Sequence, residues 1–564
     1  MENELTVRVA ESKAALTEVF RNPGLRKVNL ALAGSIVGDW AYAVGVSVFA
    51  YSHGGATAVG AFGVVRYVSM AAAAPFMSML ADHHDRRRVM VIADLIRFAL
   101  VAIAALVIAT DGPALVVYAL GLLTSVVATA FRPAQMALLP SLATHPGELT
   151  AANVAASTIE SIGFFAGPAM AGVLLALTDV PVVFAFNALT FLWSAFLVAS
   201  MQAPATAEEP EDAPPEDADG GDTASDDDGP HSILHGASAG FREILRNRDL
   251  TLLMGLYCAQ TVVAGASLVF SVAIALDLLE MEEASVGLLD AVLGVGGLIG
   301  GFLALVLATR GRLAVDFGFG VLLWSAPLLL VSARPELGAV LLMMALLGLG
   351  NSLVDINAFT IMQRLVPDEV MGRVFGAMES ALIAGMALGS LAMPLLINTV
   401  GLRTGLFVIG GSVGALALFS IGPLRRIDTI ALAPEGLDLI RSVDLFTPLP
   451  ERSIERLARC STVVEVPAGE VVIRKGEPGD RFYVIESGRA EVIVSDDLST
   501  FEEAGGSFGE IALLRDVPRQ ATVVATTDLV LRAIERRVFL AVVTGHHETE
   551  AHADRLVTRV LVGS

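Results

Sequence analysis

Residues 508–525, FGEIALLRDVPRQATVVA, place Gly509, Glu510 and a short apolar helix start ten positions ahead of Arg519. Gly509 permits close approach of backbone to a ligand. The free N–H groups at the helix start, near Ile511 and Ala512, suit an anionic phosphate. Arg519 adds a guanidinium whose fork matches two phosphate oxygens. These residue types point to capture of a phosphate rather than to turnover. No Ser/His/Asp or Cys/His constellation emerges around them, so no enzyme is expected.

A second group of chemically capable residues lies within long apolar runs, where ionisable side chains are expensive and mark a pathway or coupling site by default. They are Asp39, Arg66, Asp94, Arg97, Arg132, Glu160, Asp290 and Asp355. Asp94 and Arg97, three apart on one helical face, read as a structural latch. Asp39 and Arg66 stand at comparable depth in successive runs and could pair, either as a buried packing contact or in proton coupling. Glu160 can bind a proton when its cavity faces one side and release it on the other. Asp39 and Glu160 are thus the carboxylate candidates for coupling, and Arg66 and Arg132 stand beside them as further candidate residues. The run GVGGLIGG (294–301) lacks the Lys-Ser/Thr of a phosphate loop and reads as a helix-packing face. His547 and His552 are five apart and do not share a helix face, and Cys258 and Cys460 have no ligand spacing, so neither a metal site nor a disulfide is expected.

The elements that must position these residues follow from composition. The chain has 564 residues, 54% hydrophobic and 17% charged, with mean hydropathy +0.67, which describes an integral membrane protein. A net charge of -22 argues against a nucleic-acid partner. Apolar runs long enough to span recur near 28–50, 57–81, 89–110, 113–140, 151–177 and 181–201, then near 250–276, 285–308, 314–332, 337–362, 374–398 and 403–423. This is six plus six. Arg26, Lys27, Arg86, Arg87, Arg88, Arg242, Arg246, Arg248, Arg310, Arg312, Arg364, Arg373, Arg425 and Arg426 fall on one side, whereas SHGG (52–55) and DLLEMEE (277–283) are free of Lys and Arg. Both termini are therefore expected in the cytoplasm, in a multi-pass plasma (inner) membrane protein with a retained N-terminus. Between the halves, residues 203–231 hold eleven acids with Pro, Gly and Ala and no large apolar residue, a composition that stays disordered. That segment reads as a solvated tether, or as an acidic arm that docks on the basic loops. After Arg426, strand-like alternation over 465–494 with Gly-containing turns predicts a small β-barrel with flanking helices. The organisation is thus a leader (1–27), a first six-helix bundle (28–202), the acidic linker (203–231), a second bundle (232–426) and a C-terminal domain (427–564).

Several stretches carry a resemblance. MLADHHDRRR (79–88) resembles the loop signature of the major facilitator superfamily, with Ser78 in place of the usual Gly and His83 in place of the first basic residue; the resemblance makes Asp82, Asp85, Arg86, Arg87 and Arg88 a gating loop. GFFAGPAMAG (163–172) resembles the superfamily's antiporter signature, whose physical sense is close helix packing at Gly163, Gly167 and Gly172, with Pro168 relaxing the backbone. FRPAQMALLPSL (131–142), LTAANV (149–154), GDW (38–40) and FNALTF (186–191) are similar to the macrolide-efflux-like branch of drug exporters. Arg132 with Gln135 resembles a fragment of the fourth-helix motif of drug antiporters, with Met136 where a Gly is expected. Together these motifs cover about 25–425 and imply a twelve-helix major facilitator fold.

GEPGDRFYVIESGRAEV (476–492) and FGEIALLRDVPRQATV resemble the cyclic-nucleotide-binding domain over about 437–564. The resemblance implies that Glu510 accepts the ribose 2′-OH, that Ala521 and Thr522 complete the cradle, and that Gln520, where cGMP-preferring relatives often carry Thr, favours cAMP over cGMP. It places the base-capping residue on the last helix, near Arg555, Leu556 and Arg559. The expectation is a secondary transporter, a proton-coupled exporter of an amphipathic small molecule, regulated by cAMP and without a catalytic cofactor. A membrane-anchored cyclic-nucleotide receptor that does not transport, and a lipid flippase, stand as alternatives. A cyclic-nucleotide-gated channel fits less well, since neither a TVGYG-like filter nor an Arg-repeat helix is present.

Overall fold

The structure is a computed structural model that describes residues 21–143, 146–201, 240–308, 312–366, 368–431, 435–495 and 498–544. The acidic linker, His547, His552, Arg555, Leu556 and Arg559 lie outside the described residues. The chain divides into two units, Met1–Ile430 and Ala431–Ser564.

The described residues of the first unit form helices and their short connections. In chain order its long helices are α1 (Pro23–His83), α2 (Arg86–Ala109), α3 (Ala114–Leu142), α4 (Pro146–Leu177), α5 (Val180–Ala199), α6 (Arg248–Ala273), α7 (Ala284–Ala308), α8 (Leu313–Ala333), α9 (Leu337–Leu365), α10 (Asp368–Val400) and α11 (Leu402–Phe419). Among the described residues these eleven are long and apolar enough to cross a membrane. The first two expected spans, 28–50 and 57–81, both lie in α1, where two helical segments meet at Gly54 and Gly55, whose φ/ψ leave the helical region. Gly55 takes φ +59, a left-handed conformation that glycine adopts without the Cβ penalty. The SHGG stretch is therefore the break between the two spans. A π turn, Ile274–Leu278, closes α6.

Helices approach closely where side chains are smallest. A Cβ on Gly163 would run into Ile36, and one on Gly167 into Trp40 and the α1 backbone, so the GFFAGP stretch packs on α1. Gly172 faces the second half: an added Cβ would lie 3.4 Å from the carbonyl carbon of Gly287. In the 294–301 run, Gly294 meets Phe164 and Phe165 of α4, while Gly296 and Gly300 meet the α9 backbone at Ala345 and Leu349. The two halves also meet through Tyr51, whose hydroxyl donates to Asp277, and through Asn398, which donates to Thr57 Oγ1 at 3.0 Å.

A short helix, α12 (Ile421–Ala431), ends the first unit. Its Asp428 carboxylate accepts the backbone N–H groups of Ala314 at 2.6 Å and Val315 at 3.1 Å. Leu424 and Ile427 are buried beside it. The first turn of α8 has no cap of its own, since Arg312 offers no side-chain bond there, so Asp428 caps it from more than a hundred residues away.

The second unit holds α13 (Leu437–Arg441), α14 (Glu451–Cys460), strands β1 (Thr462–Val466), β2 (Val471–Ile473), β3 (Arg481–Ser487), β4 (Arg489–Ser495), β5 (Leu498–Glu503) and β6 (Ser507–Phe508), then α15 (Glu510–Leu514), β7 (Thr522–Ala525), β8 (Leu529–Glu535) and α16 (Arg536–Val543). The expected small β-barrel is not found. The strands form two separate four-stranded antiparallel sheets, β1-β8-β3-β6 and β2-β7-β4-β5. β1 and β6 remain edges of one sheet, and β2 and β5 edges of the other, so the hydrogen-bonded circuit that closure demands is absent. Alternation along each strand reports which face is buried, and a barrel and a pair of facing sheets share that signal. Ile473, Tyr483, Ile485, Phe508, Val523 and Leu531 fill the space within the strands. Phe446, Phe482 and Phe539 bind the helices to the sheet, with ring centroids 4.8–6.2 Å apart.

Replacing Asp428 by Ala removes a cap and is expected to cost about 1 kcal/mol. Thermal unfolding of the detergent-purified chain should show a lowered midpoint for Asp428→Ala, and one equal to that of the native chain would mean that the cap contributes nothing.

Candidate functional site

The phosphate-capture residues gather where β6 turns into α15. β6 is held by β3, with Tyr483 opposite Phe508, and the chain then passes through Gly509 at φ +99. Two constraints select glycine there. The left-handed conformation penalises a Cβ, and a Cβ would lie 2.6 Å from Arg519 Nη1. Arg519 is only 4% exposed. It donates from Nη1 to Gly509 O (3.0 Å) and from Nη2 to Asp480 Oδ1 (3.1 Å) and Arg481 O (2.7 Å). Those bonds occupy three of the five guanidinium N–H groups, which leaves two for an incoming anion.

Glu510 opens α15, and its Oε2 is buried with no hydrogen-bond partner. Burial pushes its carboxyl above the usual range; the negative charge of Glu502 adds to this, while a bond to its own backbone and the Arg519 guanidinium oppose it. An orphaned buried acceptor is rare and costly, and a donor hydroxyl from a ligand would relieve it. Ala512 is buried in the turn, Ile511 and Ala521 are half-buried, and Gln520 is exposed and folds back to donate to Pro518 O at 2.6 Å. Thr522 Oγ1 accepts the N–H of Lys475 at 3.1 Å. The sequence reading missed Asp480 as the anchor of Arg519. Its only mark is a Gly-Asp-Arg turn ahead of a strand, with no spacing that links it to Arg519.

In the helical unit, the ion pair that Asp39 makes is with Arg97. Arg97 lies between Asp94, with which it forms a close ion pair, and Asp39, 3.6 Å away. Arg97 is 2% exposed, and its guanidinium stands over Phe191 (4.2 Å) and Phe131 (4.9 Å). Asp39 is drawn to it because one buried guanidinium can serve two carboxylates. Arg66 has no ion pair among the described residues. It lines a small cavity with Tyr42, Ser47, Phe62 and Ser125, and its Nε is buried without a partner. Arg132 and Glu160, read separately from the sequence, form a two-bond ion pair between α3 and α4, one bond close and the other 3.3 Å. The second half differs. Asp355 accepts from Tyr257 Oη at 2.6 Å and from Asn351 Nδ2 at 2.9 Å.

Residues 28–382 and 256–452 match the family profile Major Facilitator Superfamily, which together is more than half of the chain. The chain belongs to the Major Facilitator Superfamily. Residues 463–546 match the profile Cyclic nucleotide-binding domain. The chain is also 44% identical over 107 residues to a cAMP-dependent protein kinase regulatory subunit of Blastocladiella emersonii, covering 18% of this chain and 27% of that protein. A protein of the same description from Mucor circinelloides f. lusitanicus is 41% identical over 92 residues, covering 16% of this chain and 22% of that protein. The chain therefore spans about a quarter of the length of these two relatives. Among solved structures, the regulatory domain of Toxoplasma gondii PKA with cAMP matches at 22% identity and a TM-score of 0.21, over 24% of this chain and 55% of that one. Both matched families are non-catalytic: a transporter fold and a regulatory nucleotide-binding domain.

In this superfamily member the basic loop after α1 is tied to its own half. Asp85 caps α2 by accepting Arg88 N at 2.8 Å. Arg86 donates to Ala137 O at 2.8 Å, and Arg87 donates to Val198 O at 3.0 Å and to Ala199 O. The side chain of Asp82 lies outside the described residues. Arg97→Ala would strand Asp94 beside Asp39, a loss of about 3–5 kcal/mol. Size-exclusion chromatography should find little folded Arg97→Ala, with recovery when Arg97→Met is combined with Asp39→Asn and Asp94→Asn; a well-folded single variant would refute the charge hub.

Proposed function

We propose that the chain is a secondary transporter, a proton-coupled exporter of amphipathic small molecules in the macrolide-efflux-like branch, and that cAMP bound to its C-terminal domain biases its transport cycle. In this reading the bundles (28–202 and 232–426) carry substrate and the domain at 427–564 faces the cytoplasm with both termini. The observation that carries the nucleotide half is the buried, unpartnered Oε2 of Glu510 beside Gly509 and Arg519. A ribose 2′-OH donates to that oxygen. The cyclic phosphate takes the free N–H groups of Arg519 and the backbone N–H groups near Ile511 and Ala512, with Ala521 closing the wall. The relatives described as cAMP-dependent kinase regulatory subunits and the side chain at Gln520 support cAMP over cGMP.

Regulation requires that the nucleotide bind one transport state better than another; couplings of this kind are about 1–3 kcal/mol. The route available is α12, which leads from α11 toward the nucleotide-binding unit and is held to α8 by Asp428. In the second unit, Arg532 donates from Nε to Glu486 at 2.8 Å and lies 4.0 Å from Glu435, fixing where the chain enters the domain.

Calorimetry of the full chain in nanodiscs tests the reading. cAMP should bind more tightly than cGMP, and Arg519→Ala should weaken cAMP by about 10- to 100-fold, the worth of charge-assisted hydrogen bonds. The pH dependence has a definite sign. Because the carboxyl of Glu510 is raised in the folded state, its stability contribution is present below the ordinary carboxyl range and is lost as pH rises through the raised value. Glu510→Gln should therefore raise the unfolding midpoint of the ligand-free domain at pH 7, leave it nearly unchanged at pH 4, and weaken cAMP binding at pH 7. No heat from either nucleotide would remove the regulatory reading and leave the transporter reading intact.

A further inference from the structure

The carboxylates of the two helical halves are compensated differently. In the first half Asp39 and Asp94 share Arg97, and Glu160 has Arg132. In the second half Asp355 has no arginine among the described residues. Its partners are neutral donors, Tyr257 Oη from α6 and Asn351 Nδ2 one helical turn before it. Asn351 Oδ1 in turn accepts Gln260 Nε2 at 3.3 Å. Gln260 is 1% exposed, and its other amide atom, Oε1, is buried with no partner. The cluster thus presents an uncompensated carboxylate and an orphaned acceptor side by side, a deficit of positive charge and of donors at the same place.

A neighbouring negative charge deepens that deficit: Glu379 of α10 is close enough to repel the Asp355 carboxylate. On α6 through α10 the basic residues stand toward helix ends, at Arg248, Arg364 and Arg373. An uncompensated carboxylate at membrane depth is held as the acid or is met by a cation.

We propose that Asp355, with Tyr257, Asn351 and Gln260 around it, is the membrane-embedded site that takes up a single positive charge, supplied either by a solvent proton or by the cationic group of a transported molecule. This deepens the transporter reading and rests on it for its role. The arginine-paired acids of the first half are latches between helices. The Asp355 cluster is where the net charge of the bundle changes.

The test uses the full chain in liposomes, with ethidium as cationic probe and dicyclohexylcarbodiimide as a reagent for protonated carboxyls in an apolar setting. Mass spectrometry should find the carbodiimide adduct on the peptide carrying Asp355, declining as pH is raised from 5.5 to 9. If the proton is the cation, ethidium flux should move protons in the native chain, and Asp355→Asn should reduce that movement at least tenfold. If the probe itself is the cation, ethidium should protect Asp355 from the reagent and no proton should move. Asp355→Glu should restore the response, and unfolding midpoints of both variants separate loss of the site from loss of the fold. An unmodified Asp355 at every pH, together with native ethidium binding in a folded Asp355→Asn, overturns the proposal. Native chain that transports nothing yet shows pH-dependent modification of Asp355 removes the transporter reading and leaves the site standing.

Discussion

Taking a charge out of water is the constraint around which this molecule is arranged, because several kcal/mol per ion must be recovered locally. Three solutions occur in one chain. Arg97 sits among Asp39, Asp94 and two aromatic rings, so its compensation is internal and permanent. Asp428 is met by two backbone N–H groups, which converts a buried carboxylate into a helix cap. Glu510 and Asp355 are left incompletely served. The first kind stabilises a packing arrangement; the last kind leaves room for something else to bind.

The same division explains why Arg519 can be both structural and receptive. Its bonds to Asp480 and to the Gly509 and Arg481 carbonyls hold it still, so little side-chain entropy remains to be lost when an anion arrives. The glycine beside it is needed for the same reason: a side chain at 509 would push the guanidinium away from the carbonyl that orients it. Preorganisation and close approach are therefore one feature seen from two residues.

Much of this was legible in the sequence because it depends on local pattern. Apolar runs located the spans, and the glycines at 163, 167, 172 and 294–301 reported helix contacts before any partner helix was known. The run from Gly509 to Arg519 marked the nucleotide-binding segment through turn chemistry and charge. What stayed hidden was pairing between distant segments. Asp39 lies nearer in sequence to Arg66 than to Arg97, yet it is Arg97 that reaches it, since helix packing decides which arginine is close. Asp480 and Arg519 are joined only once β3 and the 515–521 turn are folded, and Asp428 caps a helix that begins more than a hundred residues earlier. Strand alternation reported buried faces but not edges, so the two open sheets read as a barrel. The break between the first two spans was legible, by contrast, because Gly54 and Gly55 supply the non-helical φ/ψ that separates the two helical segments.

The asymmetry between the halves bears on how such a bundle can change state. An acid already paired with arginine gains little from a proton, because protonation forfeits the ion pair and leaves the guanidinium unmet. For Glu160 and Arg132, joined through both carboxylate oxygens, that loss includes two charge-assisted hydrogen bonds. An acid held by a phenol and an amide loses less, since both donors can turn to other acceptors, and Gln260 Oε1 is an acceptor already waiting within the same network. A ligand shifts a conformational equilibrium only by its differential affinity for the two states. A neutral-donor cluster whose donors arrive from α6 and α9 ties that affinity to the spacing of those two helices, whereas the Arg97 hub resists any change of spacing among α1 and α2.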